Sequence, residues 1–171
     1  KYFSTIPYPY ISGSLHIGHG RAAVEDDIYT RYMRMAGYNV LYPMAFHITG
    51  TPVIGISAAI ASGDIRRIEL YKSYVRPYVK KEKEIEETVK SFKDPWNLVN
   101  FFIPKMVSEF SSLGLGVDWT RSFTSGSVEH QKMVTWQFHK YKELNYLTKG
   151  VYPVLYCIND KNAVGEDDIQ E

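Results

Sequence analysis

Two histidines three residues apart, His16 and His19, flank Gly18 and follow the small residues Ser12 and Gly13. Imidazoles at that spacing in the first turn of a helix lie on one side of it, so both can reach one polyphosphate. A helix N-terminus adds unpaired N–H groups and the positive end of the dipole, which stabilise a phosphate placed there. Gly18 carries no Cβ, which lets the flat face of a base or ribose approach the backbone. The set suits attack on an α-phosphate with pyrophosphate leaving, because preorganised donors that bind the transition-state charge more tightly than the ground state supply the rate. No nucleophilic side chain is required. The same His-x-x-His spacing also fits a surface pair or half a zinc site, but zinc wants further Cys or His ligands at short spacing and none lies nearby. No metal is expected to be bound by this chain.

The elements that must hold these residues are legible from patterning. Residues 2–6 are aromatic and β-branched and read as a buried strand that Pro7 and Pro9 terminate. A loop of small residues follows. From about residue 18 to residue 35 the apolar positions Ala22, Ile28, Tyr32 and Met35 recur at helical spacing, which predicts a helix with that face inward and Gly37 as its C-terminal cap. Residues 39–42 form a second apolar run, stopped by Pro43. Strand, loop, helix and strand make a βαβ unit with parallel neighbouring strands, and a ligand placed above the strand ends meets the His16 helix terminus. The fold class expected is α/β, a Rossmann-like parallel sheet with flanking helices.

Further along, residues 51–61 predict a buried helix ended by Gly63-Asp64. Residues 65–93 are densely charged and read as a solvated helical insertion with opposite charges three and four residues apart. Asp94-Pro95 is a helix start, and Val99, Phe102, Met106, Phe110 and Leu113 mark its apolar face, with Pro104 expected to kink or split it. Ser127 reads as the N-cap of a last helix carrying Met133, Trp136 and Tyr141 inward. Residues 151–158 read as a strand. Trp119 and Trp136 are expected as core anchors, Arg31 and Arg34 as solvating a helix face, and His130 and His139 as surface residues.

With 171 residues, 44% hydrophobic, the chain can bury a core. Twenty basic against nineteen acidic side chains leave a net charge of +1, so no field by itself argues for nucleic acid or an acidic membrane. No apolar run approaches the roughly 20 residues that span a bilayer. The single cysteine, Cys157, lacks a C-x-x-C partner because position 160 is Asp160. A cytoplasmic protein is expected, and the ends read as those of a segment of something longer.

His16-Ile17-Gly18-His19, with its aromatic-Pro and Ser-Gly lead-in, resembles the signature of class I aminoacyl-tRNA synthetases, a motif that related nucleotidyltransferases share. The stretch from Arg31 through Gly37 to Met44 is similar to the second strand region of the leucine, isoleucine and valine enzymes. Ala45-Phe46-His47-Ile48-Thr49-Gly50-Thr51-Pro52 resembles the archaeal and eukaryotic leucyl branch, and Gly116-Val117-Asp118-Trp119-Thr120-Arg121 and Trp136-Gln137-Phe138 match as well. Tyr152-Pro153-Val154-Leu155-Tyr156-Cys157 and Gly165-Glu166-Asp167-Asp168 resemble the entry to the inserted editing domain.

The resemblance implies an aminoacyl-tRNA ligase whose partners are ATP with Mg2+, leucine and tRNA(Leu), without a membrane. It implies that His16 and His19 contact ATP phosphates and act catalytically, that Gly18 faces adenosine, and that Ser12 and Gly13 shape the approach to it. Tyr8 and Tyr10 would border the aminoacyl pocket, with the Tyr8 carbonyl a partner for the substrate ammonium. His47 stands where many relatives carry Asp, and a neutral imidazole accepts a hydrogen bond but offers no negative charge. The implied organisation is residues 1–150 as the N-terminal half of the catalytic domain, with the insertion at about 65–93, and 151–171 as a strand leading into the editing domain. The family's second ATP signature, K-M-S-K-S, does not occur in this sequence, so the isolated chain is expected to turn over slowly or not at all. Valyl and isoleucyl enzymes, and a synthetase-like binding module without activity, stay open as alternatives.

Overall fold

In a computed structural model the described residues are 1–158 and 162–163, and they fall into two units, Lys1–Lys132 and Met133–Glu171. The first unit opens with β1 (Tyr2–Phe3), which pairs in parallel with β2 (Val40–Leu41) in the register Tyr2 to Val40 and Phe3 to Leu41. The expected parallel neighbours are there, though each strand is only two residues long. Between them runs α1 (Ile17–Met35). Its end is a Schellman motif: Tyr38 N–H donates to the Met33 carbonyl and Gly37 N–H to the Arg34 carbonyl, both at 3.0 Å, with Gly37 at φ 84°. Only a residue at ease in the left-handed region closes a helix this way.

The face that α1 buries is not the one its apolar spacing predicts. Ala23, Asp27 and Thr30 are inside, while Ile28 is 61% and Met35 87% exposed, and Tyr32 is exposed as well. The polar inner face finds partners in the backbone it covers, in its own preceding turn and in a tyrosine hydroxyl. Gly116 N–H donates to Asp27 Oδ1 at 2.7 Å, Thr30 Oγ1 donates to the Asp27 carbonyl at 2.9 Å, and Tyr42 donates to the Ala23 carbonyl at 3.1 Å. Arg31 and Arg34 also do more than solvate the helix. Arg31 reaches Asp27 at 2.5 Å and the Gly114 carbonyl, and Arg34 donates to the Gly116 carbonyl at 2.8 Å. Together they fasten the 114–116 turn to α1.

A second parallel pair, β3 (Ala45–Phe46) with β4 (Phe123–Thr124), lies further along the chain. The helices α2 (Thr51–Ser62), α3 (Ile65–Val75), α4 (Glu82–Ser91) and α5 (Pro95–Ser112) build the main core. Residues 65–93 are thus two helices parted near Pro77, which lacks the N–H a helix interior needs. Their charges face water in pairs such as Arg76 with Glu82 at 2.9 Å, but Tyr71, Val75, Ile85 and Val89 are buried. Amphipathic helices are the result, each contributing a stripe to the core.

Asp94 caps α5 by accepting from Trp96 N–H at 2.9 Å, with Pro95 at the first position. Leu98, Val99, Phe102, Met106 and Phe110 are its buried face, and Leu113 is exposed. Pro104 does not split the helix. It lies on the exposed side, and the burial of Phe102 and Met106 on either side of it holds both halves in place. A smaller cluster of Ile6, Ala23, Met44, Phe110 and Leu115 sits beneath α1, and Trp119, half-buried, packs against both clusters as expected.

The last helix, α6 (Val128–Glu143), buries no residue, so Met133, Trp136 and Tyr141 are open to solvent rather than inward. Periodicity located the helix and not its surroundings. In the second unit β5 (Tyr156–Cys157) pairs antiparallel with β6 (Asn162–Ala163). The strand expected over residues 151–158 is therefore short, and the stretch Gly165-Glu166-Asp167-Asp168 lies outside the described residues. No helix among the described residues is long and apolar enough to cross a membrane.

Candidate active site

After Pro7 and Pro9 end the first strand, the loop to α1 is clamped from below by α3. Tyr71 donates to the Ser12 carbonyl, and Ser14 donates to the Tyr74 carbonyl at 3.4 Å. Gly13 has φ 152°, and a Cβ there would come within 2.7 Å of the Tyr74 ring. Only glycine lets the loop lie this close to the helix. The hydroxyls of Tyr71 and Tyr78 are pushed up in pKa, Tyr78 to about 12, chiefly because burial disfavours the phenolate. Both therefore remain hydrogen-bond donors.

His16 is the N-cap of α1, in extended backbone at φ −124° and ψ 170°. Its Nδ1 accepts from Gly18 N–H at 3.1 Å, and His19 Nδ1 accepts from His16 N–H at 3.2 Å. This is a reciprocal capping box in which two imidazoles take the places usually filled by Ser or Thr and Glu. The rings lie 3.8 Å apart at 31°. An imidazole nitrogen that accepts carries a lone pair, so each neutral ring holds its proton on Nε2. The two Nε2–H groups are the donors left over for a ligand. The pKa of His19 is lowered, first because burial disfavours its cation and then because His16 lies beside it. Gly18 has a local role too: a Cβ there would sit 2.9 Å from the His16 ring, so glycine lets that ring fold over the first turn.

Tyr10 and His47 are joined by a parallel bridge in which Ile11 N–H donates to the His47 carbonyl at 3.1 Å and His47 N–H to the Pro9 carbonyl at 2.9 Å. Their rings lie 4.6 Å apart at 31°, and Tyr10 donates to the Thr49 carbonyl. Burial raises the Tyr10 pKa, which keeps that hydroxyl protonated. Tyr8 turns its ring to Phe123, edge to face at 5.3 Å. The expected residues thus form two groups, His16, Gly18 and His19 at the helix end and Tyr10 with His47 at the strand ends.

Two residues here escaped sequence reasoning. His130 is not a free surface group: its Nδ1 lies 3.1 Å from the Ser125 carbonyl, which can only accept, and its ring stacks on Phe123 at 5.6 Å. Ser125 is buried, and its Oγ lies within 3.2 Å of three groups on the turn after β3. Nothing in the stretch Thr124-Ser125-Gly126-Ser127 distinguishes that serine from an ordinary turn residue.

A family model described as tRNA synthetases class I (I, L, M and V) matches residues 1–171. The leucine–tRNA ligase of Staphylothermus marinus is 50% identical over 171 residues, covering all of this chain and 18% of that protein. That of Thermoplasma acidophilum is 47% identical over the same length, covering 19% of that protein. The chain therefore spans about a fifth of the length of the relatives it matches. Among solved structures, it superposes on the LeuRS of Agrobacterium radiobacter, crystallised as a ternary complex with tRNA and LeuAMS, with a TM-score of 0.56 at 18% identity, over 99% of this chain and 18% of that one. That likeness is one of fold.

Proposed function

This chain belongs to the class I tRNA synthetases of the isoleucine, leucine, methionine and valine group, and from that premise we propose that it supplies the ATP-binding half of an enzyme that activates leucine. The leucine carboxylate attacks the α-phosphorus of MgATP, forming leucyl-adenylate and releasing pyrophosphate. A ribose hydroxyl at the end of tRNA(Leu) then attacks the leucyl carbonyl, and AMP leaves. Mg2+ enters with ATP as part of the substrate.

The reciprocal cap of His16 and His19 carries this reading, because it aims two Nε2–H donors from a helix end while their Nδ1 atoms are engaged. Charge passing onto phosphate oxygens in the transition state meets donors that need not reorient. Gly18 faces adenosine, and Ser12 and Gly13 form the wall of its approach. Tyr8 offers its carbonyl to the leucine ammonium, and Tyr10 and His47 border the side-chain pocket. Leucine is favoured over other substrates by the names of relatives 50% and 47% identical to the whole chain. Residues 1–150 serve as the N-terminal half of the catalytic domain, and 151–171 lead into an inserted editing domain. Such an enzyme works in the cytoplasm, where its tRNA is.

Amino-acid-dependent exchange of pyrophosphate into ATP by the full-length protein tests the reading, with leucine, isoleucine, valine and methionine compared. Leucine is expected to support exchange best. Faster exchange with isoleucine or valine would move the specificity, and no exchange with any of the four would leave a binding module.

A further inference from the structure

We propose that Ser125 is a positioning residue for the amino-acid site, holding the turn that fixes Tyr10 and His47; this rests on the reading of that pocket given above. Ser125 follows β4 directly, and its N–H donates to the Phe46 carbonyl at 3.0 Å, which continues the β3–β4 pairing by one residue. Its Oγ then turns into the next segment. It accepts from Ile48 N–H at 2.9 Å and Thr49 N–H at 3.2 Å. A hydroxyl has two acceptor positions and one proton. With both positions filled, the contact of 3.0 Å to Thr49 Oγ1 is donated by Ser125.

One side chain 7% exposed thus satisfies two backbone donors and a hydroxyl on residues 48–49. The consequence passes to the pocket through Thr49, whose carbonyl accepts from Tyr10, and Tyr10 lies against the His47 ring. Two neighbours keep the serine itself from turning. His130 Nδ1 donates to the Ser125 carbonyl at 3.1 Å, and Ile48 packs so near Gly126 that a Cβ there would come within 2.9 Å of it. Removing the hydroxyl leaves Ile48 and Thr49 N–H without their acceptor, and the turn must move to find water. The helix end carrying His16 and His19 makes no bond to this serine, so phosphate contacts should be spared.

The test uses the full-length protein with Ser125→Ala and Ser125→Thr, the second of which keeps the oxygen. In pyrophosphate exchange, Ser125→Ala should raise the KM for leucine roughly tenfold, the scale of leaving a buried donor unpaired, while the KM for ATP changes less than about twofold. Ser125→Thr should recover most of the loss. Backbone hydrogen exchange read by mass spectrometry should show faster exchange at residues 48–49 in Ser125→Ala and not in the first turn of α1. Equal changes in both KM values, or an unchanged KM for leucine, would overturn the proposal, as would unchanged exchange at 48–49. If the wild type prefers isoleucine or valine, the leucine reading falls while the same split, measured with that amino acid, still decides the role of Ser125. A wild type inactive with all four overturns both.

Discussion

Between residues 7 and 19 only Pro9, Ile11 and Gly13 are buried, whereas α2 to α5 contribute Val53, Ile56, Tyr71, Val75, Ile85, Val89, Phe102 and Met106 to one apolar cluster. The first region is anchored in that cluster only through Ile11, with Tyr10 and Leu15 against it, and is otherwise held by donors that neighbouring elements aim at its backbone, Tyr71 at Ser12 above all. The second is held by removing apolar surface from water. Site and stability therefore rest largely on different residues, and where they meet, as at Tyr71, the ring serves the core and the hydroxyl serves the loop.

The largest expected effect is in the helical layer. Phe102 is fully buried among Tyr71, Phe92 and Phe101, and Phe102→Ala should cost about 3–5 kcal/mol. A lower midpoint in thermal unfolding is the measurement, with pyrophosphate exchange per folded molecule expected to stay within about twofold of the wild type. A large loss of exchange in the molecules that remain folded would mean the two regions are not separable.

The reverse pattern is expected at the helix end. His19→Ala should slow adenylate formation by about two orders of magnitude, the scale for one transition-state donor, while lowering stability by only about 1 kcal/mol for the lost cap. A variant destabilised as much as Phe102→Ala, with exchange per folded molecule intact, would make His19 a structural residue.

The smallest effect is one of pH. The folded-state pKa of His19 lies below its ordinary value of 6.5, so the unfolded chain takes up this proton first as pH falls. The contribution is complete above the unfolded pKa and is lost as pH drops through the folded one. Protonating the ring also removes the Nδ1 acceptor that caps His16 N–H. Unfolding midpoints taken at pH 7 and then at lower pH should show a modest decline that His19→Ala reduces; an unchanged slope in that variant would place the titration elsewhere.

The separation also explains what the sequence disclosed. Caps and breakers act within four residues, so Asp94-Pro95, Gly37 and Gly63 marked helix ends correctly, and His16 with His19 pointed to the candidate site. Pro77 was equally legible as a breaker, and the dense charge around it obscured the buried stripe of Tyr71, Val75, Ile85 and Val89. The inner face of α1 was out of reach for a different reason. Asp27 and Thr30 face inward because a turn 89 residues away supplies a donor to Asp27, and periodicity counts only apolar side chains. Ser125 fails on the same ground, its partners lying 76 and 77 residues upstream. On α6 the pattern gave the helix, but Trp136 is exposed, and periodicity alone says nothing of what a helix face meets.

The bond from Gly116 to Asp27 also has a meaning in time. Synthesis runs from the N-terminus at about 5–20 residues per second, so the 89 residues between these partners take roughly 4–18 s to appear. Until then the carboxylate of Asp27 has no backbone N–H to accept from, and Arg31 and Arg34 have no turn to grip. The second half of α1, although made early, can be locked against the 114–116 turn only after α2 to α5 have emerged from the ribosome.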